Sequence, residues 1–97
     1  MPAPLTLVAT ISVQDGQADT VEAGLRLLVA VSRTEAGCLQ YDLHRHRDNP
    51  RVFVMLEQWQ DAAALAAHQR SAHYLAFTSH YGQWLQNVDL QLMQRIA

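Results

Sequence analysis

The stretch Glu35-Ala36-Gly37-Cys38-Leu39-Gln40-Tyr41-Asp42-Leu43-His44 decides the fold, because it joins a predicted helix to a predicted strand. Before it, apolar residues recur every three or four positions from Ala18 to about Thr34, which is typical of one helix face. Gly37 then lies where the end of a helix favours a residue with positive φ. After Gly37, apolar and polar side chains alternate as far as His46, which predicts a strand. Its helix-facing residues should be Leu39, Tyr41 and Leu43.

Three more strands are predicted outside this stretch. Residues 5–13 alternate cleanly and predict a first strand. Asp48-Asn49-Pro50 is a turn signal, and the run after it, residues 52–59, begins apolar on both faces, as in a buried central strand. Alternation through Val88, Leu90, Leu92, Gln94 and Ile96 predicts the last strand.

Two helical segments separate the last two strands. Asp61 can cap the first segment, residues 62–68, because its side chain reaches the free amides of the first turn. Ser71 can cap the second segment, in which helical spacing is kept by Tyr74, Phe77, Thr78, Tyr81 and Leu85. The complete order is therefore β-α-β-β-α-β with a broken second helix.

This order predicts a ferredoxin-like α+β fold, an antiparallel sheet with its helices on one face, as a single domain over residues 1–97. The other face of the sheet would be uncovered. It should carry Thr6, Val8, Thr10, Gln40, His44, Phe53, Met55, Gln91 and Met93. Such a mixture is too apolar to leave in water, so we expect a homodimer in which two sheets pack face to face.

Composition excludes several classes of protein. The net charge is −2, and all seven cationic residues are Arg with no run among them, which disfavours nucleic-acid binding. No apolar run reaches the roughly 18 residues of a membrane span, and a lone cysteine cannot form an internal disulfide. Met1-Pro2-Ala3-Pro4 lacks the basic residues of a secretory leader, so a cytoplasmic location is expected.

Five short motifs then occur in order along the chain. They are residues 35–43, Pro50, Glu57-Gln58-Trp59, residues 64–68 and Ser71-Ala72-His73-Tyr74. Together they resemble the antibiotic biosynthesis monooxygenase (ABM) domain, in its small quinol-monooxygenase-like branch, over essentially the whole chain. The resemblance implies a dimer closed into a shared α+β barrel, with a pocket between helices and sheet in each subunit.

The resemblance also implies a chemistry. Characterised members oxidise polyphenolic or quinol-type substrates with O₂ and use neither flavin nor metal, so no cofactor is expected. Relatives degrade haem or isomerise a phosphorylated signalling molecule. Haem-degrading relatives use an asparagine on the first strand, where this chain has Thr6, Thr10 and Ser12, so haem degradation is disfavoured.

A cofactor-free oxygenase must supply a base, an apolar cavity for O₂ and donors that hold a substrate anion. His68 and His73 are the candidate catalytic acid/base residues, because an imidazole titrates near neutral pH. The alternative for His68 is a purely structural role between helix and sheet. His73 opens the second helical segment, and the bend before it could form a lid over the pocket.

Aromatic residues are the candidates for binding a flat substrate. Tyr41, Trp59, Tyr74 and Phe77 could stack on an aromatic ring, although filling of the core would explain them equally well. Glu57 is also a candidate binding residue, because a carboxylate beside a buried run must find a partner. That partner could be Arg45 across the hairpin, in a structural salt bridge.

His44 and His46 point the same way on one strand and could chelate a metal, but the pair lacks a third ligand, so no metal site is predicted. Cys38 is expected to be a small buried residue rather than a nucleophile.

The leading functional prediction is a cofactor-independent monooxygenase, an oxidoreductase that acts on a quinol or polyphenol with O₂. One alternative is a dimeric binding or stress-associated protein that holds a small aromatic ligand without turnover. Another is an isomerase of a small phosphorylated compound, which would need cations in the pocket. Arg45 and Arg70 are the only cations near enough in the sequence.

Overall fold

A computed structural model describes residues 4–97, so the first three residues of the N-terminus lie outside the described part. The elements are β1 (Leu5–Val13), α1 (Ala18–Ser32), β2 (Cys38–Arg45), β3 (Val52–Trp59), α2 (Ala62–Gln69), α3 (Ala72–Tyr81) and β4 (Leu85–Met93). A 3-10 turn over Gly82–Trp84 joins α3 to β4. The predicted β-α-β-β-α-β order with a broken second helix is confirmed.

The strands form one antiparallel sheet in the order β2-β3-β1-β4. The helices cover one face, on which Leu7, Ile11 and Val13 of β1 are at most 6% exposed. Between these residues, side chains of β1 point to the other face and are only partly buried. The ferredoxin-like α+β fold is therefore confirmed.

Two residues of β3 lie on the opposite face from the one predicted. Phe53 pairs with Ile11 and Met55 pairs with Ala9, so both share the face that the helices cover. Their side chains are 0% and 1% exposed, and their assignment to the uncovered face is wrong. A run that is apolar on both faces carries no alternation, and the register against β1 alone decides which side chains point inward.

A bulge changes the start of β2. The register against β3 shifts between Cys38 and Gln40, which brings Cys38 opposite Trp59 and leaves Leu39 54% exposed. The prediction that Leu39 faces the helices is wrong, because the extra residue of a bulge shifts the alternation by one position. Tyr41 is 2% exposed and keeps its predicted side.

β4 is displaced from the predicted strand. It runs over Leu85–Met93, so Gln94 and Ile96, which were expected in the strand, follow its end. Its pairing with β1 stops at Met93, opposite Thr6. α1 ends at Ser32, two residues before the predicted Thr34, and Leu85, predicted in the second helical segment, is the first residue of β4.

β4 is also the strand with the most exposed apolar side chains. Val88, Leu90 and Leu92 pair with the helix-facing residues of β1 but are 45%, 46% and 64% exposed. β4 is an edge strand of nine residues, and its exposed apolar side chains favour contact with a second protein chain. The sheet-to-sheet homodimer stays a prediction. No helix within residues 4–97 is long and apolar enough to cross a membrane.

Both predicted helix caps are present. The Asp61 side chain accepts a hydrogen bond from the Ala64 amide at 2.8 Å, and Ser71 Oγ accepts one from the Tyr74 amide at 3.3 Å. These caps start α2 and α3 as separate helices, because each supplies a partner for an amide that a helix N-terminus leaves free.

Gly37 is needed for close approach, and its predicted positive φ is wrong. Among residues 4–97 only Gly16 has a positive φ. A Cβ placed on Gly37 would overlap the Cβ of Ala64 in α2. The Gly37 carbonyl also accepts a hydrogen bond from the Gln60 amide at 2.8 Å, just before α2. The glycine therefore allows α2 to pack against the start of β2.

We expect Gly37→Ala to lower the free energy of unfolding by about 1–3 kcal/mol, as overpacking does, measured by urea unfolding. Gly82→Ala is the matched control, because no atom lies within 4 Å of a Cβ there. Combining Gly37→Ala with Ala64→Gly should restore part of the loss. Equal urea midpoints for Gly37→Ala and Gly82→Ala would contradict the steric explanation.

Candidate active site

α2 presents His68 to the interior of the protein. Leu65 and His68 are three residues apart on one helix face and are 7% and 1% exposed. Trp59 lies against the imidazole, with ring centroids 4.6 Å apart. This packing fixes the position of the ring between helix and sheet.

Both ring nitrogens of His68 face a polar group. Nδ1 lies 2.6 Å from Oε2 of Glu35, in the loop between α1 and β2, and Nε2 lies 3.5 Å from the Tyr41 hydroxyl. A carboxylate only accepts hydrogen bonds, so Nδ1 carries the proton of the neutral ring. Nε2 is therefore the atom of His68 that can accept a proton.

His73 shares the same carboxylate oxygen. Its Nε2 is 2.8 Å from Glu35 Oε2 and 3.2 Å from Ser71 Oγ. Ser71 donates its hydroxyl proton to the His68 carbonyl at 2.6 Å, so it can only accept from His73. It follows that His73 Nε2 is protonated, and that Glu35 accepts hydrogen bonds from two imidazoles.

Glu57 is a buried carboxyl beside this cluster. It is 4% exposed and accepts a hydrogen bond from the Trp59 indole nitrogen at 2.9 Å. Burial raises the pKa of Glu57 to about 7, with the charge of Glu35 adding to the rise and the Trp59 hydrogen bond opposing it. Near neutral pH this carboxyl can therefore both donate and accept a proton.

The suggested salt bridge between Glu57 and Arg45 is wrong. Arg45 instead donates to Asp19 at 3.1 Å and to Glu22 at 3.0 Å, both on α1. In the pairing of β2 with β3, Arg45 lies opposite Phe53 next to the hairpin turn, whereas Glu57 lies opposite Tyr41, farther from the turn. The two side chains are therefore separated along the sheet, and Glu57 has no cationic partner among the contacts of residues 4–97.

Burial also sets the protonation of the other polar groups. It lowers the pKa of His68, while the hydrogen bond and the charge of Glu35 oppose that change. It raises the pKa of Tyr41 and of Tyr74, and the charge of Glu57 adds to both shifts. At neutral pH His68 is therefore a neutral base, and the two phenols are neutral hydrogen-bond donors.

An apolar cavity of about 70 Å³ lies between helices and sheet next to these groups. Most of its wall is aliphatic, from β1, α1 and β4, and its polar or aromatic lining residues include Tyr41, Glu57, His68, Tyr74 and Phe77. Val88 and Leu90, which are partly exposed, line its β4 side. The volume of about 70 Å³ is below the roughly 300 Å³ of a typical ligand site, so the cavity must enlarge to hold an aromatic ring.

The structure brings together the seven residues that the sequence singled out. Five of them line the cavity. The other two, Trp59 and His73, pack against the ring of His68, which is one of the lining residues. Glu35 was not predicted as a site residue, although it is the first residue of the stretch that resembles the ABM domain. Nothing local marks it, because its partners are 33 and 38 residues away in sequence.

The remaining candidates lie elsewhere. His44 is exposed, and His46 Nδ1 accepts hydrogen bonds from the Asp48 and Asn49 amides in the turn after β2. Cys38 is partly buried, and burial together with the charge of Glu35 raises the pKa of its thiol, which is unfavourable for a nucleophile.

Comparison with known proteins identifies the family of the chain. The family model described as "Antibiotic biosynthesis monooxygenase" matches residues 4–79. The chain belongs to this family. The ABM domain therefore contains Glu35, Glu57, His68 and His73 of the candidate site.

Individual relatives support a monooxygenase-like function for this ABM protein. It is 36% identical to "Putative monooxygenase YcnE" of Bacillus subtilis over 77% of this chain and 79% of that protein. It is 28% identical to "Putative monooxygenase Rv0793" of Mycobacterium tuberculosis over 88% of this chain and 83% of that protein. Among solved structures, PA3566 of Pseudomonas aeruginosa is 50% identical, with a TM-score of 0.95, over 100% of this chain and 98% of that one.

Proposed function

We propose that this ABM protein is a cofactor-independent monooxygenase that oxidises a quinol or other electron-rich phenol with O₂. The observation that carries the proposal is the arrangement of His68. Glu35 holds one ring nitrogen, and the other faces Tyr41 at the wall of an apolar cavity. Such an arrangement supplies a base with a fixed tautomer in a site from which water is largely excluded.

The proposed reaction begins when His68 Nε2 takes the proton of a substrate hydroxyl. The resulting phenolate gives one electron to O₂, and the two radicals combine to form a carbon–oxygen bond at a ring carbon that carries hydrogen. The protonated His68 returns its proton to the peroxide anion. The resulting hydroperoxide then loses the ring hydrogen to His68 as a proton while its O–O bond breaks, and proton exchange with solvent restores His68. One oxygen atom remains as a carbonyl and the other leaves as water, so no external reductant is needed.

The other residues have separate roles in this proposal. Tyr41 and Tyr74 donate hydrogen bonds to the phenolate, and Phe77 contacts its ring. Glu57 gives a proton to the leaving oxygen, for which a pKa of about 7 is well matched. Trp59 orients Glu57 through its indole N–H. His73 does not line the cavity, so we assign the proton transfer to His68 and give His73 a role through Glu35.

The lining of the cavity disfavours the isomerase alternative. Binding of a phosphorylated compound needs cations, and the residues that line this cavity include no arginine. Of the two arginines considered above, Arg45 is paired with Asp19 and Glu22, and Arg70 is exposed. Binding of an aromatic ligand without turnover uses the same cavity and must be separated by experiment.

Oxygen uptake tests the proposal. The purified chain is incubated with a menadiol-type quinol or a dihydroxyanthrone, and uptake above autoxidation is measured together with transfer of ¹⁸O from ¹⁸O₂ to the product. The matched control substrate is the dimethyl ether of the quinol, which has no acidic hydroxyl. We expect one labelled oxygen atom per product and no reaction of the ether. Quenching of tryptophan fluorescence by the quinol without uptake would instead favour the binding protein.

A further inference from the structure

We propose that Glu35, His68 and His73 form a binding site for a divalent transition-metal ion of the Zn²⁺ type, and that the bound ion inhibits the enzyme. One oxygen of Glu35 and one nitrogen of each histidine could serve as ligands, and these atoms lie within 4.8 Å of one another. The residues come from three separate segments, namely the loop after α1, the last turn of α2 and the first turn of α3. Only the tertiary fold brings Glu35 to the two histidines.

The distances suit a small ion with nitrogen and oxygen ligands. Zn²⁺ binds imidazole nitrogen at roughly 2.0–2.1 Å and carboxylate oxygen at roughly 2.0–2.2 Å, which places tetrahedral ligand atoms roughly 3.3 Å apart. Glu35 Oε2 is now 2.6 Å from His68 Nδ1 and 2.8 Å from His73 Nε2. Small side-chain rotations would therefore open a position for the ion between the three groups.

The donor set favours Zn²⁺ and similar transition-metal ions over Mg²⁺ and Ca²⁺. Two imidazoles and one carboxylate suit Zn²⁺, Co²⁺, Ni²⁺ or Cu²⁺, whereas Mg²⁺ and Ca²⁺ prefer oxygen ligands alone. The His68 side chain is 1% exposed, but those of Glu35 and His73 are 18% and 21% exposed. One ligand is thus anchored in the core while the other two give the ion a path from solvent and leave a position for water.

Metal binding changes what His68 can do. When Nδ1 is bound to the ion, a neutral imidazole keeps its proton on Nε2. Nε2 faces Tyr41 and the cavity, and a protonated Nε2 cannot accept a proton from a substrate hydroxyl. The ion also takes Glu35 away from its present hydrogen bonds. The inhibitory half of the proposal rests on the proposed function, whereas the binding half does not.

Binding is tested first, on the full chain after treatment with a chelator. Co²⁺ is titrated by visible absorption and Zn²⁺ by calorimetry, and we expect one ion per chain. His73→Ala and Glu35→Gln should weaken binding at least about 100-fold, since loss of a ligand costs more than loss of a residue that orients one. The double variant His44→Ala/His46→Ala removes the other histidine pair and should bind as the wild type does.

Circular dichroism establishes that each variant is folded. Equal affinity of the wild type and a folded His73→Ala variant would overturn the site, as would loss of binding in the His44→Ala/His46→Ala variant.

Inhibition is tested second, by quinol oxygen uptake with and without Zn²⁺, each protein being compared with its own rate without metal. Zn²⁺ should abolish wild-type uptake, a chelator should restore it, and His73→Ala should be insensitive at the same concentration. Uptake that persists at saturating Zn²⁺ would overturn the inhibitory half. Metal binding at these residues without uptake of any quinol would support the site and contradict the proposed function, so the two failures are distinguishable.

Discussion

We expect His68→Ala to lower the turnover number for quinol oxidation by about 10²- to 10⁴-fold, the usual contribution of a general base. The Nε2 atom of His68 is the acceptor that the Glu35 hydrogen bond leaves free, and the neighbouring phenols of Tyr41 and Tyr74 have raised pKa values. Tyr41 cannot replace the base, because burial keeps its hydroxyl protonated at neutral pH. Stopped-flow measurement of oxygen consumption at saturating quinol would give the turnover number.

Two further variants make this result specific. His68→Gln retains much of the side-chain volume, so it separates loss of the base from the cavity that alanine creates in the core. His44→Ala removes an exposed histidine from β2 and should leave turnover unchanged. If folded His68→Gln protein retained more than about one tenth of the wild-type turnover, His68 would not be the general base.

The fold could be predicted from the sequence because most of its signals are local. Alternation in β1 and the caps at Asp61 and Ser71 depend on neighbouring residues, and each was confirmed. The assignments of Phe53 and Leu39 failed where pairing between strands decides the outcome. β3 takes its faces from its register with β1, and a bulge in β2 shifts the alternation that a regular strand would have.

The candidate site was less predictable because it is assembled by tertiary contacts. His68 could be identified as a candidate, since a histidine on an apolar helix face is unusual. Its dependence on Glu35 could not, because the two residues meet only when α2 packs over the loop before β2, where Gly37 allows close approach. The predicted Arg45 partner of Glu57 was likewise wrong. The carboxyl instead accepts a hydrogen bond from the indole of Trp59, two residues away.

Glu57→Gln should become more stable than the wild type as the pH rises from about 4.5 to above 7, by about 3 kcal/mol at the upper end. The pKa of Glu57 is raised from 4.5 in the unfolded chain to about 7 in the fold. Between these values the unfolded chain has lost the proton that the folded chain retains, so the wild type loses stability with rising pH. A glutamine stays neutral, and its amide oxygen can still accept the Trp59 hydrogen bond.

Urea unfolding of both proteins at pH 4.5 and pH 8 measures this difference, and the comparison cancels the titration of the five histidines that they share. A stability gap that stays constant over this range would contradict a raised pKa of Glu57. Under the proposed function the same substitution should reduce quinol turnover, since an amide cannot give a proton to the departing oxygen. A variant that is more stable at pH 8 yet slower would indicate that a buried carboxyl, costly to the fold, is retained for its chemistry. If turnover were unchanged, the proton would have to come from another group, and Glu57 would only position Trp59 against His68.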